Sequence, residues 1–206
     1  MRLPATMDAW IVDDDSALLK LIDDSLVERN WTTFTFSSAR SLKEQLEKSV
    51  PGCVLIGRSI DGESGLELIK HVHSTAWPAP AILMSGDLTP SLALQALRAG
   101  AVGVLEKPFQ LRDLHTEIEY ARHYGLSLAE RLFHRETAQA SINALTAKHR
   151  EVLRLLVDCV PTKQIAGRLN ISRRTVENRK REIYAMLGMP NHVQLLQLTR
   201  LAQCPL

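Results

Sequence analysis

Residues 9–15 read AWIVDDD, and this stretch decides the fold of the first half of the chain. Four apolar residues followed directly by three carboxylates predict a buried strand, Ala9–Val12, that ends in a polar loop. Further short apolar runs predict strands at Thr32–Phe36, Cys53–Ile56, Ala81–Ser85 and Gly103–Leu105. Apolar residues at helical spacing predict helices at Ser16–Arg29, Ser41–Lys48, Gly65–Val72 and Pro90–Ala99, and again from Leu111 onward.

This alternation of five strands with five helices predicts an α/β, doubly wound fold. The crossovers between parallel strands are right-handed, so helices cover both faces of a five-stranded parallel sheet. Ligands of such sheets bind beyond the carboxyl ends of the strands. The residues at those ends are Asp13, Asp14, Gly57, Ser85, Glu106 and Lys107. We therefore expect a site where these residues meet.

Charge divides the chain into two unlike halves. Residues 1–124 hold 12 Lys and Arg against 17 Asp and Glu, a net charge of −5. Residues 125–206 hold 13 against 6, a net charge of +7, and the two values agree with the overall +2. An acidic half joined to a basic half favours contact of the second half with a polyanion, although many basic faces are merely solvated.

Location and cofactors are constrained by what the sequence lacks. Cys53, Cys159 and Cys204 are odd in number and have no metal-ligand spacing, which favours free thiols in a reducing compartment. The first fifteen residues lack the apolar stretch of a signal peptide, and no apolar run reaches the length of a membrane span. We expect a soluble, cytoplasmic protein without a membrane partner.

From Leu145 onward the pattern is wholly helical and predicts a small all-α domain. The predicted helices are Thr146–Val157, Lys163–Leu169, Arg173–Leu187 and one that Asn191 opens. The predicted N-caps of the first three are Thr146, Thr162 and Ser172. A tight turn at Asn170–Ser172 joins the second helix to the third, which is typical of a helix-turn-helix.

The third of these helices has two contrasting faces. Val176, Ile183 and Leu187 fall on an apolar face, whereas Arg174, Asn178 and Arg181 fall on a polar one. Arg and Asn carry the paired donors and acceptors that match base edges in the major groove. The alternative is a solvated basic helix in an ordinary helical bundle.

Residues Leu145 to about Leu201 resemble the LuxR-type helix-turn-helix of FixJ and NarL response regulators. The motifs that carry the resemblance are Leu145–Thr146, Arg150–Leu153, Lys163–Ala166, and Ile171–Ser172 followed by Arg174–Asn178. The resemblance implies that a homodimer binds double-stranded DNA, with Glu177, Asn178 and Arg181 facing bases. Arg179 stands where many relatives have His. The full implied DNA-binding set is Lys163, Ser172, Arg173, Arg174, Thr175, Glu177, Asn178, Arg179, Lys180 and Arg181.

The first half resembles the receiver domain of response regulators, which has the flavodoxin-like strand order. The motifs that carry it are Ile11–Asp15, Gly62 with Gly65–Leu68, Met84–Gly86, Gly100–Ala101 and Lys107–Phe109. In the family two acids hold Mg²⁺, here Asp13 and Asp14. The family's phosphoryl-binding hydroxyl and cation correspond to Ser85 and Lys107.

This sequence departs from the receiver pattern at two positions. The phosphoacceptor Asp aligns with Gly57, which has no nucleophile, and Val104 stands where the family usually has Tyr or Phe. Asp61 and Glu63 lie further along, in the following loop. These departures predict a pseudo-receiver that is controlled independently of phosphorylation. The loss of one carboxylate disfavours Mg²⁺ binding at Asp13 and Asp14, the alternative being that these carboxylates pair with Lys107.

Together the resemblances predict a sequence-specific DNA-binding transcription regulator that is not an enzyme. Its predicted parts are a receiver-like domain at 1–124, a helical linker at 125–141 and a helix-turn-helix domain at 142–206. The receiver is expected to serve dimerisation or to dock a regulatory protein or small molecule, with Leu92, Leu94 and Leu97 either forming that surface or lying in the core. Three alternatives stay open: an Mg²⁺-dependent phosphoryl-transfer enzyme, an adaptor that has lost DNA binding, and a regulator phosphorylated at a non-standard residue.

Overall fold

The structure, a computed structural model, describes residues 8–75 and 79–203. The chain divides into two compact units, Met1–Glu130 and Arg131–Leu206. The strands of the first unit are β1 Asp8–Val12, β2 Thr32–Phe36, β3 Cys53–Gly57, β4 Ser59–Ile60, β5 Glu63–Ser64, β6 Ala81–Ser85 and β7 Ala101–Glu106. Its helices are α1 Ser16–Val27, α2 Ala39–Leu46, α3 Gly65–His73, α4 Pro90–Ala99 and α5 Leu111–Asn143, which continues into the second unit. Cys204 lies outside the described residues.

Five strands form one parallel sheet in the order β2-β1-β3-β6-β7, which confirms the predicted fold class. Side chains alternate between its two faces, as in any strand. Trp10 and Val12 pack beneath α2, α3 and α4, whereas Ala9 and Ile11 pack beneath α1 and α5. Because both faces are covered, the central strands β1, β3 and β6 are nearly continuous apolar runs. The order reverses between β1 and β3, so a site is expected at the ends of these two strands.

The hairpin of β4 and β5 is absent from the predicted strands. Its turn is Asp61–Gly62, whose φ angles are +51° and +79°. An Asp-Gly pair with two left-handed residues is the preferred two-residue hairpin turn. The flanking strands have only two residues each, too few for a periodic pattern.

Helix caps agree with the sequence at some positions and correct it at others. The Asp15 carboxylate caps α1 by accepting from the backbone amides of Ala17 and Leu18, each at 3.0 Å. The predicted start of α2 at Ser41 is wrong, since Ser38 caps a helix that begins at Ala39. The Ser38 hydroxyl accepts from the Ser41 amide, so the helix starts two residues earlier than predicted.

Helix α5 is a single helix of 33 residues, despite Gly125 within it. A Cβ on Gly125 would lie 3.1 Å from Pro80 Cγ and 3.3 Å from the Gly52 carbonyl oxygen, so glycine lets the helix approach those loops. Residues 125–141 are therefore helical, as expected for that segment. The predicted domain boundaries themselves stay a prediction.

The second unit contains α6 Ala147–Val157, α7 Thr162–Arg168, α8 Arg173–Met186 and α9 His192–Gln203. Its core includes Leu145, Val152, Ile165, Val176, Ile183 and Leu195. The predicted caps Thr146, Ser172 and Asn191 are confirmed by their hydrogen bonds to backbone amides. Thr162 is not a cap, because it is the first residue of α7 and Pro161 holds the N-cap position. No helix among the described residues is long and apolar enough to cross a membrane.

Candidate functional sites

The carboxylate that follows β1 is neutralised by a lysine that follows β7, three strands away in the same sheet. Asp13 is 1% exposed, and Lys107 Nζ lies 2.5 Å from its Oδ2. The other oxygen of this carboxylate accepts from the Asp15 amide at 3.1 Å. Burying a charge is costly unless an opposite charge and hydrogen bonds compensate it. The Lys107 ammonium therefore offsets the cost of burying the Asp13 carboxylate. Asp14 is exposed and takes no part in this pair, so the expected three-way pairing is wrong for that residue.

Gly57 ends β3 beside this ion pair. A Cβ built on Gly57 would lie 2.5 Å from Asp13 Oδ2 and 3.1 Å from Asp13 Cγ. Separations this short require the carboxylate to move. The Asp13 carboxylate therefore occupies the space that a side chain at position 57 would need.

Ser85, at the end of β6, belongs to a second polar network. Its buried hydroxyl donates to Asp87 Oδ1 at 3.1 Å and accepts from the Asp87 amide at 3.3 Å. Asp87 in turn forms an ion pair with Arg58, the residue after Gly57. The Arg58 guanidinium, and then the Ser85 hydroxyl, hold the pKa of Asp87 below its ordinary value. Arg58 and Asp87 were not among the predicted residues.

The structure thus brings together four of the six residues that were predicted at the strand ends: Asp13, Gly57, Ser85 and Lys107. Their backbones meet through adjacent strand ends, as the Lys107 amide donates to the Ser85 carbonyl and the Arg58 amide to that of Met84, both at 2.8 Å. These residues do not fit Mg²⁺, which requires near-octahedral oxygen ligands. Lys107 occupies one oxygen of Asp13, and position 57 has no side-chain oxygen. The described residues contain no group of three or more His, Cys, Asp or Glu that could hold a metal ion.

In the second unit, α8 packs one face on the core and exposes the other. Val176 and Ile183 are buried, whereas Arg174, Asn178 and Arg181 are exposed, which confirms the predicted division of the helix. The other predicted residues on α8 and at its start are exposed or partly exposed, as is Lys163 on α7: these are Ser172, Arg173, Thr175, Glu177, Arg179 and Lys180. A basic, amide-bearing surface therefore faces outward.

Three side chains of this surface, Glu177, Asn178 and Arg181, form contacts that the sequence did not predict. The Thr162 hydroxyl donates to Glu177 Oε1 at 2.9 Å, which joins α7 to α8. The Arg181 guanidinium donates to Asn178 Oδ1 at 2.5 Å. With its oxygen taken, the Asn178 amide keeps its NH₂ group for an outside acceptor.

A third contact fixes α8 to α6. His149 Nε2 lies 2.8 Å from Glu182 Oε2, and His149 Nδ1 lies 3.0 Å from the hydroxyl oxygen of Thr146. Thr146 also caps α6. Polar side chains thus join α8, whose polar face is exposed, to both α6 and α7.

Both units match known protein families. Residues 9–119 match the response regulator receiver domain, and residues 143–199 match the bacterial regulatory proteins of the luxR family. This chain is a response regulator of the FixJ/NarL family. It combines a receiver with a LuxR-type DNA-binding domain, and it is a transcription regulator.

Similar proteins support this assignment along nearly the whole chain. The response regulator is 27% identical to the transcriptional regulatory protein FixJ of Bradyrhizobium diazoefficiens, over 92% of each chain. It is 29% identical to the C4-dicarboxylate transport transcriptional regulatory protein DctR of Rhodobacter capsulatus, over 92% of this chain and 97% of that protein. The solved structure of the response regulator StyR has a similar fold, with a TM-score of 0.76, 24% identity, and coverage of 94% of this chain and 98% of StyR.

Proposed function

We propose that this response regulator binds specific DNA sequences without being activated by phosphorylation. The observation that carries the proposal is Gly57 at the end of β3, where the receiver pattern has its phosphoacceptor Asp. Glycine offers no oxygen to attack a phosphoryl donor, so no aspartyl phosphate forms at that position. The Asp13 carboxylate beside it is buried and bound by Lys107.

Other carboxylates near the pocket are poor substitutes for the missing one. Asp61 lies in the turn of the β4–β5 hairpin, and Glu63 pairs with Lys43 at 2.6 Å. Asp87 is held by Arg58 and Ser85. Glu63 and Asp87 are thus held by neighbouring side chains, and Asp61 lies in a turn beyond the end of β3, which supports control by another route.

We place the DNA contacts on α7, α8 and the turn between them. Arg174, Asn178 and Arg181 project from the exposed face of α8, and they suit base edges in the major groove. Lys163, Arg173 and Thr175 lie at helix starts, where cations, hydroxyls and backbone amides hold phosphates. Ser172, Arg179 and Lys180 add further phosphate contacts. Glu177 stays in the proposed base-facing set, and its hydrogen bond from Thr162 also joins α8 to α7.

The proposed active form is a homodimer on paired half-sites. Two leucines of α4 support a protein-protein surface on the receiver, because Leu94 is 48% and Leu97 is 51% exposed. Leu92 is only 7% exposed and belongs to the core. We propose that this surface serves the dimer or a regulatory protein. Gel filtration with and without DNA tests the dimer, and a monomer in both conditions would exclude it.

A DNA-binding titration tests independence from phosphorylation. Untreated protein is titrated on fragments selected from genomic DNA, and the titration is repeated with Mg²⁺ and beryllofluoride, which mimics a phosphoryl group. We expect tight binding with the same dissociation constant in both titrations. Binding that appears only with beryllofluoride would show that a carboxylate in the pocket is the acceptor, and the proposal would fail.

A further inference from the structure

A thiol, an imidazole and a phenol from three separate segments meet in the DNA-binding unit. Cys159 lies in the loop between α6 and α7, His192 begins α9, and Tyr184 lies on α8. Cys159 Sγ is 3.8 Å from His192 Nε2, and His192 Nδ1 is 3.1 Å from the Tyr184 hydroxyl. None of these side chains is among the residues that the proposed DNA-binding function uses.

This geometry is that of a nucleophile with its base. An activated thiol has a base within hydrogen-bond reach, and a third group orients that base. When His192 Nδ1–H donates to the Tyr184 oxygen, the lone pair of Nε2 faces Cys159. Burial of Tyr184 raises the pKa of its hydroxyl, so the phenol stays neutral and keeps this role at physiological pH.

The exposure of the Cys159 sulfur and its other hydrogen-bond partner also favour reaction at this residue. Its side chain is exposed, so a small reagent reaches the sulfur without any opening of the fold. The other acceptor near the thiol is the Val157 carbonyl at 3.9 Å, which cannot take up a proton. Cys53 offers the contrasting case, because it is fully buried and burial raises the pKa of its thiol.

We propose that Cys159 is an oxidative modification site for hydroperoxides, with His192 as its base and Tyr184 as the residue that positions His192. The thiol proton passes to His192 Nε2, and the sulfur attacks the terminal peroxide oxygen. The O–O bond breaks, the leaving oxygen takes the proton from the imidazolium, and His192 is neutral again. Sulfur is oxidised by two electrons to a sulfenic acid, and hydrogen peroxide is reduced to water.

The test measures sulfenic acid formation in the full-length protein. Cys204→Ser leaves Cys159 and Cys53 as the two thiols, and the protein is treated with hydrogen peroxide while a 1,3-dione traps the product. Mass spectrometry of the peptides then gives a rate for each cysteine. We expect labelling at Cys159, with Cys53 unreactive in the folded protein.

Variants of the two partner residues separate base catalysis from packing. His192→Gln should slow labelling of Cys159 by about tenfold or more, since a positioned base commonly contributes at least that much. His192→Ala should be equally slow, and added imidazole should restore part of its rate. Tyr184→Phe keeps the ring and should slow labelling to a smaller extent. His71→Gln replaces an exposed histidine on α3 and should change nothing.

Circular dichroism establishes that each variant is folded before its rate is compared. If both His192 variants are unfolded, the labelling rate of Tyr184→Phe tests the proposal instead, because this substitution removes only a single hydroxyl. An unchanged rate in a folded His192→Gln, or no rescue of His192→Ala by imidazole, would overturn the assignment of the base. Labelling of Cys159 only after unfolding would overturn the site itself.

Discussion

The receiver pocket and the exposed face of α8 treat their polar side chains in opposite ways. In the pocket, Lys107 neutralises a buried Asp13, while Arg58 and Ser85 bind Asp87. On α8, Arg174, Asn178 and Arg181 face outward from a buried apolar side. The Asp13 charge is buried and satisfied within the fold, whereas Arg174, the NH₂ group of Asn178 and the remaining N–H groups of Arg181 face solvent and are available for a ligand. The exposed polar groups of α8 are therefore the ones left for a ligand, whereas those of the receiver pocket stabilise the fold.

The largest effect should come from breaking the buried ion pair. Lys107→Ala leaves Asp13 as a buried carboxylate without its counter-charge, and we expect a loss of about 3 kcal/mol in the free energy of unfolding. Urea denaturation followed by tryptophan fluorescence measures it in the receiver unit alone, since Trp10, Trp31 and Trp77 all precede residue 130.

The matched control is Lys70→Ala. Lys70 pairs with Glu67 at 2.6 Å, but both side chains are largely exposed, so we expect a loss of less than about 1 kcal/mol. Equal losses in the two lysine variants would mean that burial of Asp13 carries no special energetic weight, and the contrast between pocket and surface would be lost.

A carboxylate at position 57 adds negative charge to the pocket, whereas Lys107→Ala removes positive charge from it. Gly57→Asp places a second negative group against Asp13, so we expect it to destabilise the receiver by about 2 kcal/mol. Mg²⁺ should recover part of this stability, because the pocket then has another carboxylate ligand. The readout is the urea midpoint with and without Mg²⁺, with Gly57→Ala as the steric control. A wild-type protein that Mg²⁺ stabilises equally would contradict our description of the pocket.

Removing the groups that we propose to contact bases should weaken DNA binding and leave folding unchanged. Asn178→Ala and Arg181→Ala should each weaken binding to the selected fragment by about 1–3 kcal/mol. The double variant should lose less than the sum, because Arg181 donates to Asn178. Titrations on the selected fragment and on a scrambled one measure the sequence preference. Both single variants retaining the full preference would remove these residues from the base-contacting set.

Lys163→Ala provides the control for that experiment. A residue that contacts phosphate should weaken binding to both fragments alike and reduce the salt dependence of binding by about one unit of slope. A change confined to the selected fragment would instead place Lys163 at a base edge.

The smallest effect should come from Arg58→Ala. The Arg58–Asp87 pair is exposed, so salt screens it, and we expect a slight fall in Tm that disappears at high ionic strength. Because folding lowers the pKa of Asp87, the pair contributes above the ordinary pKa of Asp, and the contribution is lost as pH falls toward the lowered value. Thermal melts at neutral and acidic pH measure it. If the Tm difference between wild type and Arg58→Ala grew on acidification, the expected loss of the pair's contribution at low pH would be contradicted.

The sequence by itself determined the α/β class, the order of the main helices and strands, and the two faces of α8. Those features follow from local periodicity, which repeats along the chain and needs no knowledge of distant neighbours. Strand ends were also predictable, which is why Asp13, Gly57, Ser85 and Lys107 were correctly brought to one edge of the sheet.

Only the tertiary structure decided which side chains pair with which. Lys107 pairs with Asp13 and not with the neighbouring Asp14. Thr162 donates to Glu177 instead of capping α7, and the Cys159 sulfur lies within hydrogen-bond distance of His192. The partners in these contacts are separated by 94, 15 and 33 residues, so no local pattern encodes them. They depend on how strands and helices pack, because packing sets the distance and angle at which two remote side chains face each other.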